Sequence, residues 1–432
     1  MTASDSSPSP SVSSSAVVSF PGKNPEALPA RASLENLRKQ AKTLLKQRRA
    51  SLTPGDDPPT LSGAQHELAR RYGFVSWPQL VAHFKPADPA DRVRREGGRV
   101  WIDGVPRLAW GRATDLTYLG ALEAAFVGSD RPLDLTQLMG DSGLCFRLRW
   151  ARENEPLRWC GSGPVGEWPE ERAALNAATG YVFDWRYGHD TAGGAERVAA
   201  EIDAGRPILA YAIKHDVSLI YGYEDAGRRV VVRDYWATDD PHVMPIEDLT
   251  AITGWLTAID PPAPRADAVR AGLALAIERW HEPTQPSEKS PEPHYHYGPN
   301  AYREWISDLR RAEPMTDEQR GNLYFLNGWT YCVLRTGRHD HAAKYLRANA
   351  GHLPADAAPH LEAAAACYDR AARRLGKWDA ADPTFGFVKQ KPADGWTVET
   401  RQREIALLED LHALDAEAIG HLEQALVTDP AG

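Results

Sequence analysis

The residues best suited to chemistry flank a predicted β-hairpin in the middle of the chain. Residues 216–235 (DVSLIYGYEDAGRRVVVRDY) alternate apolar and polar side chains and turn near Asp225-Ala226-Gly227 before three valines return. This pattern predicts two antiparallel strands. Folding them together brings His215 and Asp216 beside Asp234. A histidine base oriented by a carboxylate is the arrangement that activates a thiol or hydroxyl nucleophile.

The helix predicted over residues 114–127 (TDLTYLGALEAAFV) contains no cysteine to act as that nucleophile. Thr114 and Asp115 stand at its start, where a reactive thiol would gain from the helix dipole. Both residue types are good N-caps.

The remaining nucleophile candidate is Cys160, in the glycine-rich loop WCGSGPVGE. The predicted catalytic candidates are therefore Cys160, His215, Asp234 and Asp216. Cys145 lies in GLCFRLRW, where alternation predicts a buried strand, and Cys332 and Cys367 lie in helical patterns and are expected to pack in the core. Four cysteines without an export signal indicate reduced thiols and a cytoplasmic location.

Four segments of the chain resemble a known superfamily. They are LTYLGALEAAF, the block LMGDSGLCFRLRW (138–150), WCGSGPVGEWPEE (159–171) and the hairpin. Together they resemble the C39-like peptidases, in particular the relatives of the N-terminal domain of butirosin-biosynthesis protein H. The resemblance implies a papain-like fold over residues 99–260. It also implies cysteine-dependent acyl transfer from a carrier protein to an aminoglycoside amine, or proteolysis, although the missing helix cysteine departs from that pattern. Counting back from Gly222, the position at which the resemblance implies the histidine base falls on Asp216. His215 is then one residue early, which in a regular strand turns it to the opposite face.

A cleft of this kind would be lined by residues from several segments. The candidates are Thr114, Asp115, Tyr118, Gly143, Trp159, Ser162, Tyr297 and Tyr302. The last two belong to an aromatic stretch placed to wall a pocket between the middle and C-terminal regions. Two His-x-His pairs, 294–296 and 339–341, lack the further ligands of a metal motif. We therefore predict no metal site and no cofactor.

The flanking regions read as helical. Residues 33–84 resemble a short helical module found ahead of ankyrin-repeat proteins, through LENLRKQAKTLLKQ and AQHELARRYGFVSWPQLVAHF. From residue 261 onward, five segments show the 3.6-residue apolar period of helices. The sequence thus predicts an α+β multidomain protein with a disordered Ser/Pro tail (1–32), the helical module (33–84), a linker (85–98), the papain-like domain (99–260) and an all-helical C-terminal domain (261–432).

The charge and hydrophobicity of the chain indicate which classes of binding partner are expected. The chain has 432 residues, 42% hydrophobic and 25% charged, with a net charge of −9. An acidic chain of this kind is not expected to bind nucleic acid, although its first helix is basic. No apolar run approaches the length of a membrane span, so no membrane partner is expected.

Three functions stay open at the level of sequence. We expect a non-catalytic papain-fold protein that binds a small molecule or peptide in a degenerate cleft, because the helix cysteine is missing. The first alternative is a cysteine-dependent acyltransferase, amidase or peptidase that uses Cys160. The second is a scaffold or regulatory protein that uses the basic N-terminal helix. The sequence leaves the oligomeric state open.

Overall fold

The chain divides into two compact units, residues 1–86 and 87–432. The computed structural model describes residues 34–50, 59–72, 77, 80, 89–109, 116–129, 131–151, 169–187, 194–211, 216–236, 241–249, 252–282, 295–310, 316–376 and 396–427. Within these residues, no helix combines the length and the apolar character needed to cross a bilayer.

The first unit contains two of the predicted helices, α1 (Leu34–Ala50) and α2 (Leu61–Arg71). Leu37 and Ala41 on α1 form a small core with Leu68 and Ala69 on α2 and with Leu80. Apart from residues 59, 60, 72, 77 and 80, the rest of the predicted helical module lies outside the described residues.

The second unit is built around antiparallel strands. They are β1 (Val93–Glu96), β2 (Arg99–Ile102), β3 (Arg149–Ala151), β4 (Tyr181–Tyr187), β5 (Ile208–Ala210), β6 (Ser218–Glu224), β7 (Arg229–Arg233), β8 (His242–Pro245), β9 (Ile252–Ile259) and β10 (Tyr295–Tyr297). The main sheet runs β1-β2-β6-β5-β9-β4, and β7 joins β6 to β8. A separate small sheet pairs β3 with β10.

Helices cover this sheet and form the C-terminal third. They are α3 (Thr117–Ala125), α4 (Leu135–Asp141), α5 (Pro169–Thr179), α6 (Gly194–Asp203), α7 (Arg265–His281), α8 (Gly298–Arg310), α9 (Asp317–Leu334), α10 (Ala343–Asn349), α11 (Ala358–Leu375) and α12 (Val398–Val427). A π-helix (Arg335–Ala342) continues α9 into α10. The mixed α+β class and the helical C-terminal region are confirmed.

The predicted hairpin and the position of its turn are confirmed. Strands β6 and β7 pair from Glu224↔Arg229 to Leu219↔Arg233, and the turn is Asp225–Gly227. The register shifts between Ile220 and Gly222, which marks a β-bulge at Tyr221.

Two short segments differ from the sequence expectation. Cys145 lies in a 3-10 turn (Leu144–Phe146) instead of a strand, because the strand begins only at Arg149. Tyr295–Tyr297, which the sequence analysis does not assign to a strand, forms β10 and pairs with β3.

One hydrophobic core runs through the second unit, from Val93 in β1 to Ala425 in α12. The sheet and the C-terminal helices therefore share buried surface instead of enclosing separate cores. The domain boundary drawn at residue 261 stays a prediction.

Candidate functional site

The first turn of α3 lies against the start of β6. The backbone N–H of Val217 donates a hydrogen bond to Thr117 Oγ1 over 3.2 Å, and both residues are buried. Tyr118, the next residue of α3, is also buried, and its ring lies 5.6 Å from that of Trp185 in β4. The helix start and the hairpin, which the sequence predicted to form one site, are therefore adjacent.

Beside this contact, two carboxylates accept hydrogen bonds from the same tryptophan. Asp216 is 8% exposed and Asp234 is 6% exposed. Trp236 Nε1 donates to Asp216 Oδ2 over 2.6 Å, and the backbone N–H of Trp236 donates to Asp234 Oδ1 over 2.5 Å. The second bond closes a turn of the kind that aspartate favours. We call these three residues the Asp216–Trp236 cluster.

Trp236 supplies an N–H donor to one oxygen of each carboxylate in this cluster. Burying carboxylates is costly unless they are hydrogen-bonded or paired with a cation.

Trp185, whose ring lies next to that of Tyr118, contains a further buried polar atom. Trp185 Nε1 is buried and has no hydrogen-bond partner among the described residues. The Trp185 ring also lies 6.3 Å from the ring of Tyr211. Tyr211 is the last described residue before Asp216. Buried indole N–H groups usually find an acceptor.

Several sequence candidates lie outside the described residues, namely Thr114, Asp115, Trp159, Cys160, Ser162 and His215. The described candidates fall into two groups. Asp216, Asp234 and Tyr118 belong to the α3–β6 contact. Gly143, Tyr297 and Tyr302 belong to the packing between the middle region and the C-terminal helices.

The residues of the second group contact the C-terminal helices or belong to the small sheet. Gly143 adopts a positive φ of 70°, and a Cβ there would lie 3.2 Å from the backbone of Gly272 in α7. Tyr302 is buried and donates a hydrogen bond to Asp415 Oδ2 over 2.8 Å. Burial, and to a lesser extent the neighbouring Asp415, raises the pKa of Tyr302 well above its usual range. Burial also raises the pKa of Tyr297, which pairs with Arg149 across the small sheet.

The bulge at Tyr221 interrupts the regular alternation of side chains along β6. A bulge adds one residue to a strand, so side chains beyond it change face. The count from Gly222 back to Asp216 crosses this bulge, and it therefore does not show that His215 faces away from α3. Asp216 is the residue that the structure places in the cluster.

The bulge also borders a cavity that was not predicted from the sequence. It has a volume of about 410 Å³ and is lined by Trp101, Tyr221 and Arg233, among others. The Arg233 guanidinium lies 4.6 Å from the centre of the Tyr221 ring. These residues come from three strands, so no local sequence pattern predicts the cavity.

The described cysteines lie in buried structural positions. Cys145 is fully buried, and burial raises the pKa of its thiol. Cys332 and Cys367 are buried in α9 and α11, which confirms the expected core packing.

The block 138–150 forms the packing surface between the middle region and the C-terminal helices. Arg338, on the π-helix, donates to the carbonyl oxygens of Cys145, Phe146 and Arg147 over 2.8–3.0 Å and to Asp415 over 2.6 Å. We call these residues the Arg338 cluster. These bonds hold the backbone of the block against the π-helix.

Asp141, in the same block, forms a second buried link. Arg265 donates to both of its carboxylate oxygens over 2.6 Å, and Tyr345 donates over 2.8 Å. These bonds join α4 to α7 and α10. Sequence patterns missed both clusters because their partners are at least 77 residues apart along the chain.

The His-x-His pair on the π-helix does not converge. His339 Nδ1 lies 2.8 Å from Asp340, whereas His341 Nδ1 lies 3.0 Å from Thr136 in α4. His296 lies in β10, and His294 is outside the described residues.

Comparison with known proteins adds no assignment: the chain matches no family model, and no curated protein is significantly similar to it.

Proposed function

We propose that residues 99–260 form a papain-like, C39-like domain whose cleft binds a ligand without catalysing a reaction. The resemblance of the sequence motivates the fold. The contact between the α3 start and the β6 start supports it, because papain-like sites join a helix N-terminus to the first strand of a hairpin. The Val217–Thr117 hydrogen bond makes that contact here.

The residues at this contact support loss of catalysis. Asp216 is the described residue at the start of the first hairpin strand, where the resembling family has its histidine base, and its carboxylate accepts a hydrogen bond from Trp236 Nε1. Thr117 uses its hydroxyl oxygen to accept the Val217 N–H. A threonine without a strong neighbouring base is a poor nucleophile.

The charge of the Asp216–Trp236 cluster points to the class of ligand. Two buried carboxylates within reach of one tryptophan favour an amine, either on a small molecule or on a basic peptide. The ammonium group would form charge-assisted hydrogen bonds, which are the stronger kind. Trp185 Nε1 offers a donor for a hydroxyl or carbonyl oxygen of the same ligand.

Calorimetric titration with a polyamine, an aminoglycoside and a tri-lysine peptide tests this proposal. N-acetylated versions of the same amines serve as neutral controls. Asp216→Asn and Asp234→Asn keep an oxygen to accept the Trp236 N–H groups but remove the charge. Asp225→Asn makes the same change in the exposed turn of the hairpin.

We expect at least one of the three amines to bind, and both cluster variants to weaken it. A hydrogen bond to a charged group contributes about 1.5–3 kcal/mol, so each variant should raise the Kd by about 10- to 100-fold. Asp225→Asn should leave the Kd unchanged. The proposal fails if none of the amines binds, if the acetylated amines bind equally well, or if Asp216→Asn and Asp234→Asn bind like the wild type.

A further inference from the structure

Three side chains with metal-ligand chemistry converge between α11 and α12. They are Cys367 on α11 and Glu417 and His421 on α12, and one ligand atom from each lies within 4.8 Å of the other two. Glu417 and His421 are four residues apart and therefore share a helix face. The sequence predicted no metal site, because ligands on two helices leave no motif.

The burial of the three groups is graded. Cys367 is 1% exposed, His421 is half-buried and Glu417 lies at the surface. His421 Nδ1 is itself buried and has no hydrogen-bond partner among the described residues. A buried polar atom without a partner is costly, and a metal ion would remove that cost.

A cation already occupies the space between two of these groups. Arg370 Nη2 lies 3.2 Å from Cys367 Sγ and 2.5 Å from Glu417 Oε2. The Arg370 side chain is 45% exposed, so it can rotate into solvent. The site therefore attracts positive charge and can exchange one cation for another.

We propose that Cys367, Glu417 and His421 bind Zn²⁺, which displaces Arg370 and ties α11 to α12. Sulfur, imidazole nitrogen and carboxylate oxygen are the ligands that Zn²⁺ takes in tetrahedral sites. Zinc–ligand distances of about 2.0–2.3 Å place tetrahedral ligand atoms about 3.5 Å apart, so side-chain rotations that close the gaps by about 1 Å complete the set.

The fourth position has a candidate on α11. The ring of His360 lies 6.2 Å from that of His421, and His360 precedes Cys367 by two helical turns on the same face. Water is the alternative fourth ligand. Binding converts the Cys367 thiol to a thiolate and releases its proton to solvent.

Zinc titration of the metal-free, reduced full-length chain against a chromophoric chelator tests the site. The wild type should bind one Zn²⁺. Cys367→Ser and His421→Gln should raise the Kd at least about tenfold, the lower bound seen even for outer-shell changes. Cys332→Ser, at another buried helical cysteine, and His352→Gln, at an exposed histidine, are the matched controls and should bind like the wild type.

Arg370→Met separates ligand loss from damage to the fold. Removing the competing guanidinium should lower the Kd for zinc, whereas general damage would raise it. Co²⁺ provides a second readout, since thiolate ligation by Cys367 gives a charge-transfer band in the near ultraviolet. The proposal is overturned if the wild type binds no stoichiometric zinc and shows no such band, or if the Cys367 and His421 variants bind zinc like the wild type. Tighter zinc binding by Arg370→Met supports the exchange of cations, and weaker or unchanged binding overturns it.

Discussion

Replacing Arg338 by methionine should destabilise the second unit severely. The guanidinium is 1% exposed and donates to Asp415 and to the carbonyl oxygens of Cys145, Phe146 and Arg147. Methionine fills similar space but leaves the Asp415 carboxylate buried without its cation. Removing one partner of a buried ion pair costs about 3–5 kcal/mol, and the orphaned carbonyls place the expected loss in the upper part of that range.

Urea unfolding followed by tryptophan fluorescence and circular dichroism measures this loss. Arg310→Met is the matched control, because Arg310 pairs with Glu409 across α8 and α12 over 2.9 Å but both side chains are exposed. An exposed pair contributes at most about 1 kcal/mol. If Arg338→Met does not fold, Arg338→Lys keeps the charge but loses the planar fork and should still cost more than the control. Equal unfolding free energies for the Arg338 and Arg310 variants would refute the reasoning.

Two further predictions concern packing and the cysteines. Gly140→Ala places a Cβ 2.1 Å from the Tyr345 ring and should lower the unfolding free energy by about 1–3 kcal/mol, whereas Gly420→Ala on α12 meets no atom within 4 Å and should raise it by up to about 1 kcal/mol. Urea unfolding of both variants checks this, and equal changes would contradict it. Because burial raises the pKa of the Cys145 thiol, Cys145 should resist iodoacetamide in the native protein even at pH values near the reference thiol pKa of about 8.5. Buried Cys332 should also resist, and mass-spectrometric mapping that finds either residue labelled before unfolding would contradict the burial described above.

The elements with strong local patterns could be predicted from sequence. The hairpin follows from alternation around Asp225-Ala226-Gly227, and its register confirms that pattern. The apolar periods of the C-terminal segments likewise predicted α7, α8, α9, α11 and α12. The small sheet could not be predicted, because β3 and β10 have three residues each and pair across more than a hundred residues. Strands that short carry no usable period.

The candidate site was predictable only in part. Folding the hairpin correctly places Asp216 near Asp234, but Trp236, which joins them, was missed. An aspartate two residues before a tryptophan is compatible with many turns, so nothing in the sequence specifies this one. Arg338 was missed for a different reason: the segment RTGRHDH reads as a solvated polar face, and the π-helix interrupts the period that would reveal its buried side.

Mass spectrometry of one sample tests most directly the claim that the site binds and does not catalyse. The protein is incubated with a small acyl thioester and the amine that binds best, then measured under native and denaturing conditions. The proposal predicts a non-covalent amine complex in the native spectrum, an unmodified chain after denaturation and no acylated amine. An acyl adduct on Cys160 that Cys160→Ser abolishes, or release of acylated amine, would contradict it and establish a cysteine acyltransferase instead.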